Sequence, residues 1–335
     1  MQGVVESVMR EMLTRIGGYE RCVTEFVRIS STVLPPKVFH RLCPELKNEG
    51  RTASGTPVYV QLLGSDPDLM AANAKIVAKL GAPGIDLNFG CPAKTVNKSR
   101  GGATLLKTPE LIFDICKAVR DATPGDTPVT AKVRLGFDDD FQFSDIADYA
   151  INSGIDELTV HARTKVQAYR PPAHWSKLST ISNSPGIPII ANGEIWTPSD
   201  LDRCREQSEC DAFMLARGAL CRPDLGRAIK AHAESIPAHP MTWPEVMELL
   251  IHFFEANGAR YDRKYSINPL KQWLVYLQYC YPQAAALFAQ VKRIRDPDDM
   301  LCSLLGATQK RATSCLLYTS PSPRDVEEYR MPSCA

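Results

Sequence analysis

The 335-residue chain has no apolar run of membrane-spanning length, and its first residues lack the basic stretch, apolar stretch and cleavage site of an export leader. A cytoplasmic protein with no membrane partner is the expectation. The eleven cysteines include no Cys-x-x-Cys pair and no Cys/His cluster at metal-ligand spacing, so neither a disulfide scaffold nor a metal site is expected, and reduced thiols are the natural state. Charge of one sign is also missing. With 39 basic and 38 acidic residues the net charge is +1, which excludes a global attraction to nucleic acid and leaves any RNA partner to a local patch. The Gly-x-Gly-x-x-Gly turn of a doubly wound dinucleotide fold does not follow the first strand.

What is present is ordinary for a globular protein: 44% hydrophobic and 23% charged residues, in a chain long enough to bury a sizeable core. Through the first two-thirds, short β-branched runs alternate with amphipathic helices, the pattern of parallel strands joined by crossover helices. The spacing predicts seven strands, at 22–27, 58–63, 85–88, 128–135, 157–162, 187–192 and 211–215. Their near-continuous apolar character suits strands covered by helices outside and packed within. Thr108-Pro109-Glu110 supplies a cap, a proline at the first helical position and an acid at the positive end of the dipole, after which Leu111, Ile112, Ile115 and Val119 make a buried stripe. Thr197-Pro198 repeats that start signal, and Gly81 and Gly154 sit where helices should stop.

The expected fold class is α/β, a (β/α)8 TIM barrel over 1–237. Seven strands are one short of closure, and residues 4–13 have helical spacing with no strand before them. The first strand is therefore expected to be missing, with Met1 an internal residue of a longer protein. From about Met241 helices take over, with start signals at Trp243-Pro244-Glu245 and Asn268-Pro269 and with Leu270, Trp273, Leu274 and Leu277 on one face. A small all-α helical domain is expected over 241–305. Beyond Gly306 the periodicity fades, and the run from Cys315 to Asp325 resembles translated adapter sequence, so 306–335 is expected to be a non-native, disordered tail.

In such a barrel the C-terminal ends of the strands face the active site, so polar residues there carry the most weight. Gln61 ends the second strand and Asn88 the third; Lys132 and Arg134 lie in the fourth; His161 and Arg163 end the fifth. Asn192-Gly193-Glu194 and Ala216-Arg217-Gly218 follow the sixth and seventh, the loops where this fold commonly binds phosphate, with glycine backbone and a guanidinium fork available. Alternation puts Thr130, Lys132 and Arg134 on one face, which points to an anionic or electron-rich ligand. Directly after a strand, Asn88-Phe89-Gly90-Cys91-Pro92 displays a cysteine on a turn, and the later Gly101-Gly102 pair permits close backbone approach. Taken singly, each has a plainer reading: an inert packed thiol, a satisfied core histidine, strand-end amides, turn glycines.

Together these residues resemble the tRNA-dihydrouridine synthase family, most specifically in the run from Asp86 to Asn97. The resemblance extends from Met1 to about residue 305 and is nearest the bacterial C-type, which acts on uridine 16 of the D-loop, through the runs Gly101 to Lys107 and Ile190 to Trp196. It implies a flavin-binding barrel followed by a helical domain, reducing uridine in tRNA. It implies FMN held by Met1, Gln61, Lys132, His161, Asn192, Gly193, Glu194, Ala216 and Arg217, with NADPH as the reductant and Cys91 as the catalytic acid. Hydride would pass from the flavin to uracil C6 and a proton to C5; an ordinary thiol, with pKa about 8.5, is protonated at neutral pH and can supply it. Asn88 and Arg134 would orient the target base, and a base flipped from its stack would meet a rim formed by Tyr169 and Arg28. Two departures from the family pattern stand out: of the Ala-Pro-Met that ends its first strand only Met1 is matched, and Ala216 replaces a usual glycine.

In the helical region Arg260, Arg263, Lys264, Lys271, Lys292, Arg293 and Arg295 are suited to phosphate contacts, Lys264 and Lys271 foremost, although seven acids between Met241 and Met300 offset them. A monomer is expected. Two other readings remain: a tRNA-binding protein without catalysis, and a flavin-dependent reductase of a free pyrimidine.

Overall fold

The computed structural model describes residues 3–182 and 186–317, with side chains described up to residue 307. Contacts divide the chain into two compact units, Met1–Met241 and Thr242–Ala335.

The first unit is built on one parallel sheet of β1 (Cys22–Val23), β2 (Val27–Arg28), β3 (Val58–Leu63), β4 (Ile85–Asn88), β5 (Val129–Arg134), β6 (Glu157–His161), β7 (Ile189–Asn192) and β8 (Ala212–Met214). Strands β3 to β8 pair in sequence order, and β1 and β2 both pair with β3, one after the other. The helices are α1 (Ser7–Ile16), α2 (Pro36–Leu42), α3 (Pro67–Lys79), α4 (Lys94–Lys98), α5 (Pro109–Ala122), α6 (Phe143–Asn152), α7 (Ser179–Ser182), α8 (Pro198–Ser208), α9 (Arg217–Cys221) and α10 (Leu225–Ala233). The seven expected strand positions are all present. Among the described residues no pairing joins β8 to β1 or β2, so the sheet is a curled, TIM-barrel-like part-cylinder.

The first strand differs from expectation. It runs as two short pieces, because the Thr24 hydroxyl, instead of a backbone carbonyl, accepts the Gln61 N–H at 3.0 Å, and the Glu25 carboxylate turns away to accept the N–H groups of Val4 and Val5. Elsewhere the alternation is regular. Val60, Leu62, Ile85, Leu87, Ala131, Val133, Leu158 and Val160 are buried in the layer between sheet and helices, where each Val, Leu or Ile contributes about 1.5–3 kcal/mol. Polar residues take the other face. At the barrel's N-terminal end Arg21 crosses the interior to bridge Glu157 on β6 and stacks over Tyr59.

Helix signals hold in the main. Thr197 forms a reciprocal capping box with Asp200 at the start of α8, whereas Thr108 precedes α5 without a side-chain cap bond. The second unit contains α11 (Trp243–Arg260), α12 (Ile267–Leu277), α13 (Pro282–Val291) and α14 (Pro297–Leu317). Phe253 and Trp273 meet edge-on in its core at 5.0 Å. No described helix is long and apolar enough to cross a membrane.

Candidate active site

Strand register sets the polar residues in two rows. Gln61, Asp86 and Thr130 lie side by side on β3, β4 and β5; higher up, Arg134, His161 and Asn192 align across β5, β6 and β7, with Lys132 level with Asn88. Only inward-facing alternate positions of neighbouring parallel strands produce such rows, so residues far apart in sequence share one mouth.

In the lower row Thr130 Oγ1 donates to Asp86 Oδ1 at 2.6 Å and Gln61 Nε2 donates to Asp86 Oδ2 at 2.6 Å. Asn88 Nδ2 donates to Gln61 Oε1 at 2.8 Å, and Asn88 Oδ1 accepts the Gly90 N–H at 3.0 Å. Across the mouth Lys132 Nζ donates to Asn192 Oδ1 at 2.7 Å, and Asn192 Nδ2 to the Met214 carbonyl at 2.7 Å. Desolvation draws the Lys132 ammonium down to about 7, with Arg134 adding to the fall and Asp86 opposing it.

His161 is held neutral, its pKa pushed well below 6.5 by burial and then by Arg134, Lys132, Arg163 and Arg217. Arg163, fully buried, bridges Glu194 and reaches the Arg170 carbonyl at 2.7 Å; burial with Arg217 and Arg134 nearby lowers it to about 10, so it stays cationic. Gly193 adopts φ 118°, and a Cβ there would lie 2.9 Å from His161 Cδ2, so this turn presents bare backbone. Arg217 opens α9, 4.0 Å from the Glu194 carboxylate, with its guanidinium over Tyr169 at 4.9 Å and Trp196 at 5.1 Å. Ala216 is exposed immediately before it.

Cys91 sits half-buried on the loop after β4. Its carbonyl accepts from Ala103 N and Asn97 Nδ2, both at 3.0 Å, and Gly102 packs so close that a Cβ would lie 2.9 Å from that oxygen. Arg134 clamps the loop from below: Nε donates to the Gly90 carbonyl at 2.8 Å, while Nη1 donates to the Thr164 and Ala168 carbonyls. Arg28 binds the same loop from the other side, through Ser99 Oγ at 2.6 Å. Tyr169, 48% exposed, tilts over His161 at 6.2 Å and lies beneath the guanidinium of Arg134.

Gln61, Asn88, Lys132, Arg134, His161, Asn192, Gly193, Glu194, Arg217 and Tyr169 thus converge around the strand ends, with Cys91 on the adjoining loop. Met1 lies outside the described residues. In the second unit Lys264 pairs with Asp262 at 2.8 Å and covers the Tyr265 ring, and Lys271 Nζ donates to the Ile294 carbonyl at 2.6 Å. Sequence reasoning did not single out Asp86, the acceptor at the foot of the amide row, or Trp196, which donates to Glu194 Oε1 at 2.8 Å. An acid at an inward strand position was the available signal for Asp86.

A curled parallel sheet with amides, cations and a loop-borne thiol at its strand ends defines a barrel-type enzyme whose chemistry lies at the C-terminal face. A family model described as dihydrouridine synthase matches residues 1–313, and the chain belongs to the dihydrouridine synthase family of oxidoreductases. Among its relatives, a tRNA-dihydrouridine(16) synthase of Aquipseudomonas alcaligenes is 49% identical over 296 residues, covering 88% of this chain and 94% of that protein. One of Vibrio cholerae is 47% identical over 307 residues, covering 91% and 93%. Among solved structures, histamine dehydrogenase from Rhizobium sp. 4-9 matches with a TM-score of 0.51 at 13% identity, over 69% of this chain and 44% of that one, a likeness of fold.

Proposed function

We propose that the protein reduces uridine to 5,6-dihydrouridine in tRNA, at position 16 of the D-loop, with FMN bound at the strand-end mouth, NADPH as reductant and Cys91 as the proton donor. The observation that carries this reading is the convergence, at one mouth, of the Cys91 loop with the Lys132–Asn192 pair and the Gly193 turn. The names of the relatives supply the substrate and the position.

The residues fit FMN. Arg163 and Arg217 surround the Gly193–Glu194 turn, where the absence of a side chain leaves backbone for a phosphate, and Gln61 and Asn192 offer amides to a polar heterocycle. When bound, FMN reduced by NADPH supplies hydride to uracil C6. The chain's own residues bind, orient and protonate. Cys91 delivers its Sγ proton to C5, a general-acid step worth about 10²–10⁴-fold in rate. The Lys132 ammonium stabilises negative charge beside it in a desolvated setting, where such a charge acts strongly. Asn88 and Arg134 hold the base side of the mouth, and the exposed ring of Tyr169 offers a stacking face to a flipped base. Lys264 and Lys271 are assigned to tRNA phosphates, and the working form is assigned as a cytoplasmic monomer.

The test is direct. Purified protein should be yellow, should release FMN on denaturation, and should oxidise NADPH in a tRNA-dependent manner, with dihydrouridine mapped at position 16 by mass spectrometry. Cys91→Ala should keep the colour and lose about 10²-fold or more in turnover. Reduction of free uridine but not tRNA, or tRNA binding without product, overturns the proposal.

A further inference from the structure

One buried charge in the mouth has no task in the reaction as derived so far. Asp86 is 1% exposed on β4, and both its carboxylate oxygens accept a hydrogen bond, from Thr130 and from Gln61. With both oxygens accepting, the carboxyl has no proton to give. Gln61 must therefore turn its NH2 toward Asp86 and its Oε1 toward Asn88, which leaves Asn88 Oδ1 free for the Gly90 N–H, one residue before Cys91. The orientation of two amides and the start of the Cys91 loop are thus dictated from one end of a relay.

The second arm lies one inward position further along the same pair of strands: Asp86 pairs with Thr130, and Lys132, two residues on from Thr130, pairs with Asn88. Around Lys132 the charged and titratable groups are Asp86 on β4, Arg134 on β5 itself and His161 on β6, while the ammonium donates to the neutral Asn192 on β7. Arg21, in the segment before β1, and Cys116 on α5, a neutral thiol pushed up to about 12 by burial, also lie within electrostatic reach of Asp86. Asp86 is therefore the one anion acting on Lys132 in that set. Burial pushes the Asp86 carboxyl upward, and the bonds from Thr130 and Gln61 with the charge of Lys132 oppose that push.

We propose that Asp86 is a positioning residue that joins the two working arms of the site, orienting the Gln61–Asn88 relay that sets the Cys91 loop and supplying the counter-charge to the Lys132 ammonium. Its catalytic meaning rests on the roles proposed above for Lys132 and Cys91; its geometry does not.

The experiment uses full-length protein stripped of flavin, so that it does not depend on turnover. Acetylation of Lys132 by acetic anhydride is followed against pH by peptide mass spectrometry, and alkylation of Cys91 by iodoacetamide is timed at fixed pH. In Asp86→Asn the Lys132 midpoint should fall by about half a pH unit or more below wild type, because the charge that raises it is gone. The asparagine can also donate to Gln61 and reverse the relay, so Cys91 alkylation should change by about threefold or more. Thr130→Val removes one donor without removing a charge, and should move the Lys132 midpoint in the same direction by a smaller step. A folded Asp86→Asn protein with both readouts unchanged overturns the proposal; if that variant does not fold, unchanged readouts in Thr130→Val do so. A protein without flavin or without tRNA product would sink the functional reading and leave these two measurements as they are.

Discussion

Replacing Arg134 by methionine should unfasten the Cys91 loop, and the size of the effect follows from what the guanidinium holds. It is 2% exposed and donates to three backbone carbonyls, those of Gly90, Thr164 and Ala168. The bond to Thr164 is buried, and stranding that oxygen costs about 1–3 kcal/mol; the two part-buried oxygens regain some solvent and cost about 1 kcal/mol each. Against this, removing the cation relieves its burial, the main cause that lowers its pKa, and a lesser repulsion from Arg217, while giving up the favourable pulls of Tyr169 and Cys91. The net expectation is a loss of about 2–4 kcal/mol, which in a unit of this size lowers the melting temperature by about 5–15 °C. Urea and thermal unfolding of the flavin-free protein read the stability, and the iodoacetamide rate of Cys91 reads the loop. A variant as stable as wild type, with Cys91 reactivity unchanged, would refute the clamp.

Two further outcomes follow from the same site. Lys132 is drawn down to about 7 from the usual 10.5, so between those values the unfolded chain binds more protons and this group adds stability as pH rises from 7; below 7 its burial penalty is felt in full. Buried thiols such as Cys43 and Cys116, pushed up to about 12, subtract stability once their unfolded counterparts titrate near 8.5, so the comparison belongs between pH 7 and about 8.5. Urea unfolding across that window should show flavin-free wild type gaining on Lys132→Met, and parallel curves would contradict the assignment. Gly193→Ala forces a side chain into φ 118° and against His161 at 2.9 Å, a strain of about 1–3 kcal/mol, and should lower both the melting temperature and FMN affinity by titration.

Much of the fold was legible because its signals are local. The apolar runs of β3 to β8 carry their own burial, Gly81 and Gly154 take the positive φ that ends helices, and Thr197-Pro198 with Asp200 spells out a cap. The break in the first strand was not legible, since it depends on the Thr24 hydroxyl meeting the Gln61 amide, 37 residues away in sequence. Among site residues, alternation along β5 correctly put Thr130, Lys132 and Arg134 on one face, yet could not separate their tasks: one bonds a carboxylate, one an amide across the mouth, one three carbonyls. Arg28 and Lys271 show the same limit, because a cation in the sequence declares its charge but not its neighbours: Arg28 bonds Ser99 and Lys271 the Ile294 carbonyl.

Residue type and short-range spacing determined a parallel α/β barrel frame and a thiol on a turn after β4, since strand period, helix caps and turn chemistry act within a few residues, and resemblance to a known motif around that thiol pointed to the family. Tertiary structure decided which polar groups share a dry mouth. Only strand register brings Asp86 beside Gln61 and Thr130, Lys132 to Asn192, and Glu194 to Arg163, and only the burial that register creates lowers Lys132 to about 7 and keeps His161 neutral, because desolvation is a property of the packed sheet and not of any residue in it.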